Sequence, residues 1–307
     1  VMKSPLPVRN GVNATRLRLP AEGPWLTAMD YVLERFGHVD AAGIVNRFAR
    51  GEVRALTGSV VTEHTPLAEH SFIWYYREVP PEVRIPVELE VLHQDHDLVV
   101  VDKPHFLPTT PGGRYVAESA LVRLRNLLEL PELVPIHRLD RMTAGVLLFS
   151  ANPATRGKYQ LLFEKRAVQK QYEAVAEVRP ELELPRTVTS RMVKSRTYLL
   201  AREVQGDPNT QTRVELLDTH DDGTGRRLGR YKLEPHTGKT HQLRVHMAGL
   251  GIGILNDLFY PELHPETADD YSKPLQLLAR SIAFTDPLTG RDVEYRSRRQ
   301  LSALPAA

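Results

Sequence analysis

Cysteine is absent from the 307 residues, and with it go disulfide frameworks, thiolate catalysis and cysteine-built zinc or iron–sulfur centres. Net charge is nearly absent too: 40 Lys+Arg against 38 Asp+Glu leave a formal +2. That excludes a polyanion while leaving room for local basic patches. No apolar run approaches the roughly 20 residues that a membrane-spanning helix needs. The opening VMKSPLPVRNGVNATRLRLP carries no apolar signal core. Fixed-period repeats and low-complexity tracts are missing as well. The expectation is a soluble, cytoplasmic monomer with no membrane or metal partner.

What is present is ordinary globular composition, 41% hydrophobic and 25% charged, over a length suited to about two domains of roughly 150 residues. Residues 1–22 show no sustained period and read as an N-terminal extension. Trp25, Met29, Val32, Leu33 and Phe36 share a helical face, and a second helix fits between an Asp40 cap and a stop at Gly51. Val53–Tyr76 reads as a hairpin region. Pro80, Pro81 and Pro86 then suggest a boundary, giving domains at 23–79 and 80–302.

Beyond it the chain mixes short strands with helices without strict alternation, an α+β grammar. Strands are expected at Glu88–Leu92, Leu98–Asp102, Val146–Ser150, Tyr172–Val178, Val214–Thr219 and Tyr231–Glu234. Helices are expected at Ser119–Glu129, after Asn152-Pro153 and around His241–Gly249, with Asn152 as cap and Pro153 in the first turn.

Three stretches carry chemistry. In Pro135–Phe149, Asp140 sits between Arg138 and Arg141 ahead of a Thr143-Ala144-Gly145 turn and an apolar strand. This places the carboxylate at the mouth of a sheet with arginine holding its pKa down. A structural Asp–Arg pair is the plainer reading of that stretch alone. Lys170-Gln171-Tyr172-Glu173-Ala174 follows a basic helix, so Tyr172 can stack on a base while nearby cations meet phosphate; a solvated helix face beside a half-buried strand tyrosine is the alternative. Arg186, Arg191, Lys194, Arg196 and Arg202 add to this basic middle region. Leu233–Gly251 holds His236, His241 and His246 at five-residue spacing, which scatters them around a helix and argues against a three-histidine metal site. Gly238 lacks the glycine-rich cradle of a phosphate loop.

Taken in order, these stretches resemble the RluA-type family of RNA pseudouridine synthases. His137–Asp140 with Thr143–Phe149 is similar to its HRLD loop and turn, Lys170-x-Tyr172-x-Ala174 to its second element, and Thr237–His246 with Leu250-Gly251 to its third. Val99–Pro104 looks like the family's opening strand and Lys-Pro turn, and Asp257–Tyr260 like the remnant of a glycine-aspartate-tyrosine ending. The resemblance spans about residues 88–285. Departures are Lys239 where the family has Arg, Asn256 where it has Gly before Asp257, and a Pro104–Pro111 loop without the usual glycine. Residues 24–76, through the helix pair, Gly51–Arg54 and Gly58, resemble a small RNA-binding domain named after a small-subunit ribosomal protein.

The resemblance implies an α+β fold with a mixed, mainly antiparallel central sheet, preceded by the small RNA-binding-like domain. It implies isomerisation of specific uridines in structured RNA, large-subunit rRNA first and tRNA next, without a cofactor. Asp140 is then the essential carboxylate, Arg244 its pairing partner, and Tyr172 the ring that stacks on uracil and helps remove the C5 proton. Arg138 fills the stack the uridine vacates, Leu243 and Leu139 are apolar lining, and His137, Arg141, Lys170, Lys239 and His241 complete the RNA-contacting set. The runner-up is a non-catalytic RNA-binding or ribosome-assembly protein of the same fold; a metal hydrolase built on the three histidines is a weaker rival.

Overall fold

The computed structural model describes residues 3–77, 81–195, 200–265 and 267–305. Pro80 at the expected boundary and Arg196 in the basic middle region lie outside them. The chain divides into two units, one holding the described residues of 1–83, 113–117 and 122–131, the other 84–112, 118–121 and those of 132–307. Two stretches read from sequence as part of the second region, 113–117 and 122–131, thus cluster with the first.

In the first unit, β1 (Thr15–Arg18), β2 (Arg54–Ala55) and β3 (Phe72–Tyr75) form an antiparallel sheet in the order β1-β3-β2. The supposed extension therefore supplies a strand: Leu17 and Ile73 pair across it and join the apolar core. A four-residue strand is too short to announce itself by period. Helix α1 (Ala28–Ala49) starts at a capping box, Thr27 accepting from Asp30 N while the Asp30 carboxylate accepts from Thr27 N. It kinks at Asp40 (φ −161°), whose carboxylate accepts from Gly43 N at 2.9 Å and pairs with Arg47 at 2.7 Å. Gly51, with φ +65°, turns the chain out of the helix.

The second unit is built on a large mixed sheet of eleven strands among the described residues. In chain order these are β4 (Glu90–Gln94), β5 (Leu98–Lys103), β6 (Val134–Pro135), β7 (Ala144–Ser150), β8 (Gln169–Glu177), β9 (Arg186–Lys194), β10 (Ala201–Val204), β11 (Thr210–Asp221), β12 (Arg227–Pro235), β13 (Leu277–Thr285) and β14 (Asp292–Arg296). The main path runs β10-β9-β11-β12-β8-β13-β7-β5-β4, with β14 on β13 and β6 on β7. Every described pairing is antiparallel except β13 on β7. This is the α+β, mainly antiparallel architecture expected, and β5 and β7 are buried along their whole length, as centrally placed strands must be.

The helices are α2 (Ala120–Leu128), α3 (Arg156–Glu164) and α4 (Gln242–Gly249). The expected Asn152 cap is not there. Asn152 Oδ1 accepts from Ala154 N at 2.9 Å in a local turn, and α3 begins at Arg156. A side chain that bonds two residues on makes an Asx turn, which competes with capping.

The one parallel contact fixes a residue. Gly145 has φ +112°, and a Cβ there would lie 2.2 Å from Ala279 O, its partner across β7 and β13. Gly145→Ala is expected to lower stability by at least about 2 kcal/mol, because strain and overlap act together. The urea unfolding midpoint of the variant checks this.

Candidate active site

Asp140 lies in the loop between β6 and β7, and that loop is held from below by the segment leaving β5. Lys103 is fully buried, and its ammonium donates to the carbonyls of Pro104, Leu107 and Arg141 at 2.9, 2.9 and 3.2 Å. Burial pulls its pKa down to about 7, countered by Asp140, and three carbonyl acceptors favour the charged form. His105 Nδ1 donates to Met142 O at 2.6 Å, and Thr109 Oγ1 donates to Leu139 O while accepting from Leu139 N. Three side chains thus pin the backbone on both sides of Asp140.

The opposite wall is α4 and the turn before it. Gln242 ties that turn to β11: Oε1 accepts from Thr237 Oγ1 and Lys239 N in the turn, and Nε2 donates to Gln211 O and Thr212 Oγ1 on the strand. His241 enters the helix with left-handed backbone, φ +56°. One turn into α4, Arg244 is 3% exposed. Its Nε and Nη2 donate to Asp257 at 2.8 and 2.6 Å, and its guanidinium lies over the Phe259 and Tyr260 rings at 4.8 and 5.4 Å. Nη1 stands 3.7 Å from Asp140 Oδ2.

The expected ion pair of Arg244 with Asp140 is present, and it is the looser of two. The bidentate partner of Arg244 is Asp257, which takes Nε and Nη2, and Asp140 meets the remaining nitrogen, Nη1, at ion-pair distance. Nor do the chain neighbours of Asp140 clasp it. Arg141 makes a two-pronged pair with Asp269 at 2.8 and 2.9 Å, and Arg138 is exposed at the rim. The groups that face Asp140 are Arg244 and His241, whose Nε2 is 3.8 Å away.

Between these walls opens a cleft of about 510 Å³ with its mouth included. Asp140, Tyr172, Arg244, Arg138, Leu139, Leu243, Lys170, Lys239 and His241 line it. Tyr172 comes from β8, next to β12 and β13. Burial and then the nearby Asp140 charge push its phenol pKa up, so it stays protonated at neutral pH. Lys170 donates to Thr237 O at 3.3 Å, and burial followed by Arg166 pulls its pKa down.

His137 and Arg141, expected among the RNA contacts, do not line the cleft. The His137 ring stacks on Phe163 at 4.8 Å, accepts from Leu148 N at 3.2 Å, and has its pKa pushed down to about 3 by burial and then Lys170. It bridges β7 to α3. His236, His241 and His246 do not converge: His236 is exposed, His241 faces Asp140, and buried His246 bonds Ser190, Thr210 and Thr212. Among the described residues no group of three His, Asp or Glu side chains is arranged to hold a metal.

Sequence reasoning missed Lys103, His105, Thr109, Asp257 and Tyr260 as parts of the site. Asp257 had a signal in the Asp257–Tyr260 stretch but no assigned role. Two departures find their geometry: Asn256 adopts φ +64°, a conformation Asn tolerates, and Phe106 in the Pro104–Pro111 loop adopts φ +67°. Phe106 sits edge-on to Tyr271 at 4.9 Å.

The family model described as RNA pseudouridylate synthase matches residues 97–249, which hold the cleft's principal groups. The chain is 31% identical to the dual-specificity RNA pseudouridine synthase RluA of Haemophilus influenzae, over 71% of this chain and 97% of that one. It is 28% identical to an RNA pseudouridine synthase of Synechocystis, over 76% of this chain and 78% of the relative. Among solved structures, human RNA Pseudouridylate Synthase Domain Containing 1 shares the fold with a TM-score of 0.56 at 24% identity, covering 69% of this chain and 84% of that one. Human RNA Pseudouridylate Synthase Domain Containing 4 gives 0.51 at 25% identity, covering 68% and 88%.

Two outcomes follow from this geometry. Asp257→Ala leaves the Arg244 charge buried without its partner and is expected to cost about 3–5 kcal/mol, read as an earlier urea midpoint. His137 and His105, the latter held down at about 4 by burial against its Met142 bond, are neutral in the fold while unfolded histidine titrates near pH 6.5. The unfolded chain therefore binds more protons below that pH, so their contribution is complete above about 6.5 and is lost as pH falls toward 4. Urea midpoints between pH 7 and 4.5 should decline, and less steeply in His137→Phe.

Proposed function

The chain belongs to the RluA-type RNA pseudouridine synthases, and from that premise we propose that Asp140 is the carboxylate through which it isomerises uridine. The enzyme is an isomerase acting on RNA: the N1–C1′ bond breaks, the base turns, and C5 joins C1′ with no net change of atoms or redox state. The observation that carries the proposal is the setting of Asp140. Its side chain, 31% exposed, is the cleft carboxylate beside the buried Arg244 guanidinium. Whether it acts at the sugar or at the base, this chemistry asks for a carboxylate held in a pocket, and the cleft provides one.

Tyr172 is proposed to stack on the uracil of a flipped-out uridine, and Arg138 at the rim to take the place the base leaves. Lys170 and Lys239, on the same cleft, supply phosphate contacts whose strength falls with salt. Because unstacking costs least in loops and bulges, structured rRNA is the first substrate to test and tRNA the second. The first unit, with Arg16, Arg18, Arg35 and Arg50 exposed, is proposed to add sequence-independent affinity for RNA.

The test uses rRNA and tRNA carrying tritium at uridine C5. The parent releases label to water and Asp140→Ala does not, since isomerisation must free that hydrogen. A parent that binds these RNAs yet releases nothing would establish the alternative, a non-catalytic RNA-binding protein of the same fold.

A further inference from the structure

Isomerisation leaves a proton to be disposed of. When C5 bonds to C1′ it carries both the sugar and its original hydrogen, and Tyr172, held as a protonated phenol, is a poor acceptor for that hydrogen. Another acceptor must lie close to Asp140. His241 Nε2 is 3.8 Å from Asp140 Oδ2, and the residue lines the cleft.

The tautomer of His241 is assigned by its hydrogen-bond network. Tyr260 Oη accepts from Ala201 N at 2.8 Å and donates to Ala201 O at 3.0 Å. Ala201 is 5% exposed and opens edge strand β10, so its carbonyl needs that donor. The single Tyr260 hydrogen is then spent. Tyr260 Oη can only accept from His241 Nδ1, 3.0 Å away, which makes Nδ1 the protonated nitrogen. In the neutral ring Nε2 consequently bears a lone pair directed at the Asp140 side.

The charged and polar groups around the ring are Asp140, Arg244, Asp257 and Lys194, with the Phe259 and Tyr260 rings 5.7 Å away. Burial dominates and pulls the pKa below 6.5, Asp140 and Asp257 acting upward, Arg244 and Lys194 downward. The ring is therefore neutral and able to accept at neutral pH. Its left-handed backbone, φ +56°, is a local strain of the kind concentrated at working residues.

Resting on the isomerase reading above, we propose that His241 is the base that takes the C5 proton in the last step of pseudouridine formation. The C5–H bond breaks and its electron pair closes C5=C6. The C6=N1 pair returns to N1, which takes a proton from water. The C5 proton passes to Nε2, giving an imidazolium beside the Asp140 carboxylate that releases its proton to solvent as product leaves.

The test compares single-turnover conversion of RNA bearing uridine with the same RNA bearing 5-fluorouridine at the modified position, which has no C5 proton to give up. His241→Asn suits the left-handed backbone and keeps an amide donor toward Tyr260. The expected result is a fall of about 100-fold in the ratio of uridine to 5-fluorouridine conversion relative to the parent, the lower range for loss of a general base. In His241→Gly, added imidazole should restore uridine conversion. An equal fall on both RNAs without imidazole rescue, or no fall on uridine, overturns the proposal. A parent that converts neither RNA overturns the isomerase reading itself.

Discussion

The Arg244 guanidinium has two carboxylates to answer to, and the site depends on how it divides between them. Asp257 is wholly buried and takes the Nε and Nη2 edge in two short bonds, leaving Nη1 for Asp140. A charge this deep is tolerable only when paired, so the Asp257 turn must close on α4 for the fold to form. That closure brings Phe259 and Tyr260 against the guanidinium and carries the Tyr260 hydroxyl to Ala201 and His241. One ion pair thus orders the arginine, the tautomer of the histidine and the edge strand beyond it.

The other wall obeys a different constraint. The loop bearing Asp140 has little regular structure, yet Lys103, His105 and Thr109 hold its carbonyls at Arg141, Met142 and Leu139. Because these bonds go to backbone, the carboxylate's position is fixed without occupying the carboxylate. Gly145 then lets the chain enter β7 against Ala279, so the loop meets the sheet at the one place where β7 runs parallel to its neighbour. Precision at a reacting group is best achieved by such supporting bonds, since bonds to the group itself would compete with substrate.

Much of this was legible in the chain. The apolar runs at Leu98–Asp102 and Val146–Ser150 gave β5 and β7, and the ordered motifs gave the family, the sheet type and the grouping of Asp140, Tyr172 and Arg244 on one cleft. What was not legible is long-range partnering. Asp140 was read with Arg138 and Arg141 because they adjoin it, but Arg141 pairs with Asp269, 128 residues on. His137 shared a motif with Asp140 while its ring points to Phe163. Lys103 looked like a turn residue because burial is a property of the whole sheet, and β1 was hidden by its length.

The cleft separates two kinds of electrostatics. Arg138 and Lys239 stand exposed at the rim, where salt at 0.1 M largely screens charges more than about 10 Å apart. Arg244, Asp257 and Lys103 are buried, where screening is weak and each interaction is correspondingly stronger. In the roles proposed for them, the groups that bind RNA and those that transform one base stand in different dielectric surroundings. With those proposed roles, raising ionic strength weakens the hold on phosphate while leaving the field at Asp140 nearly as it was, so in this isomerase affinity can vary with the RNA without retuning the chemistry.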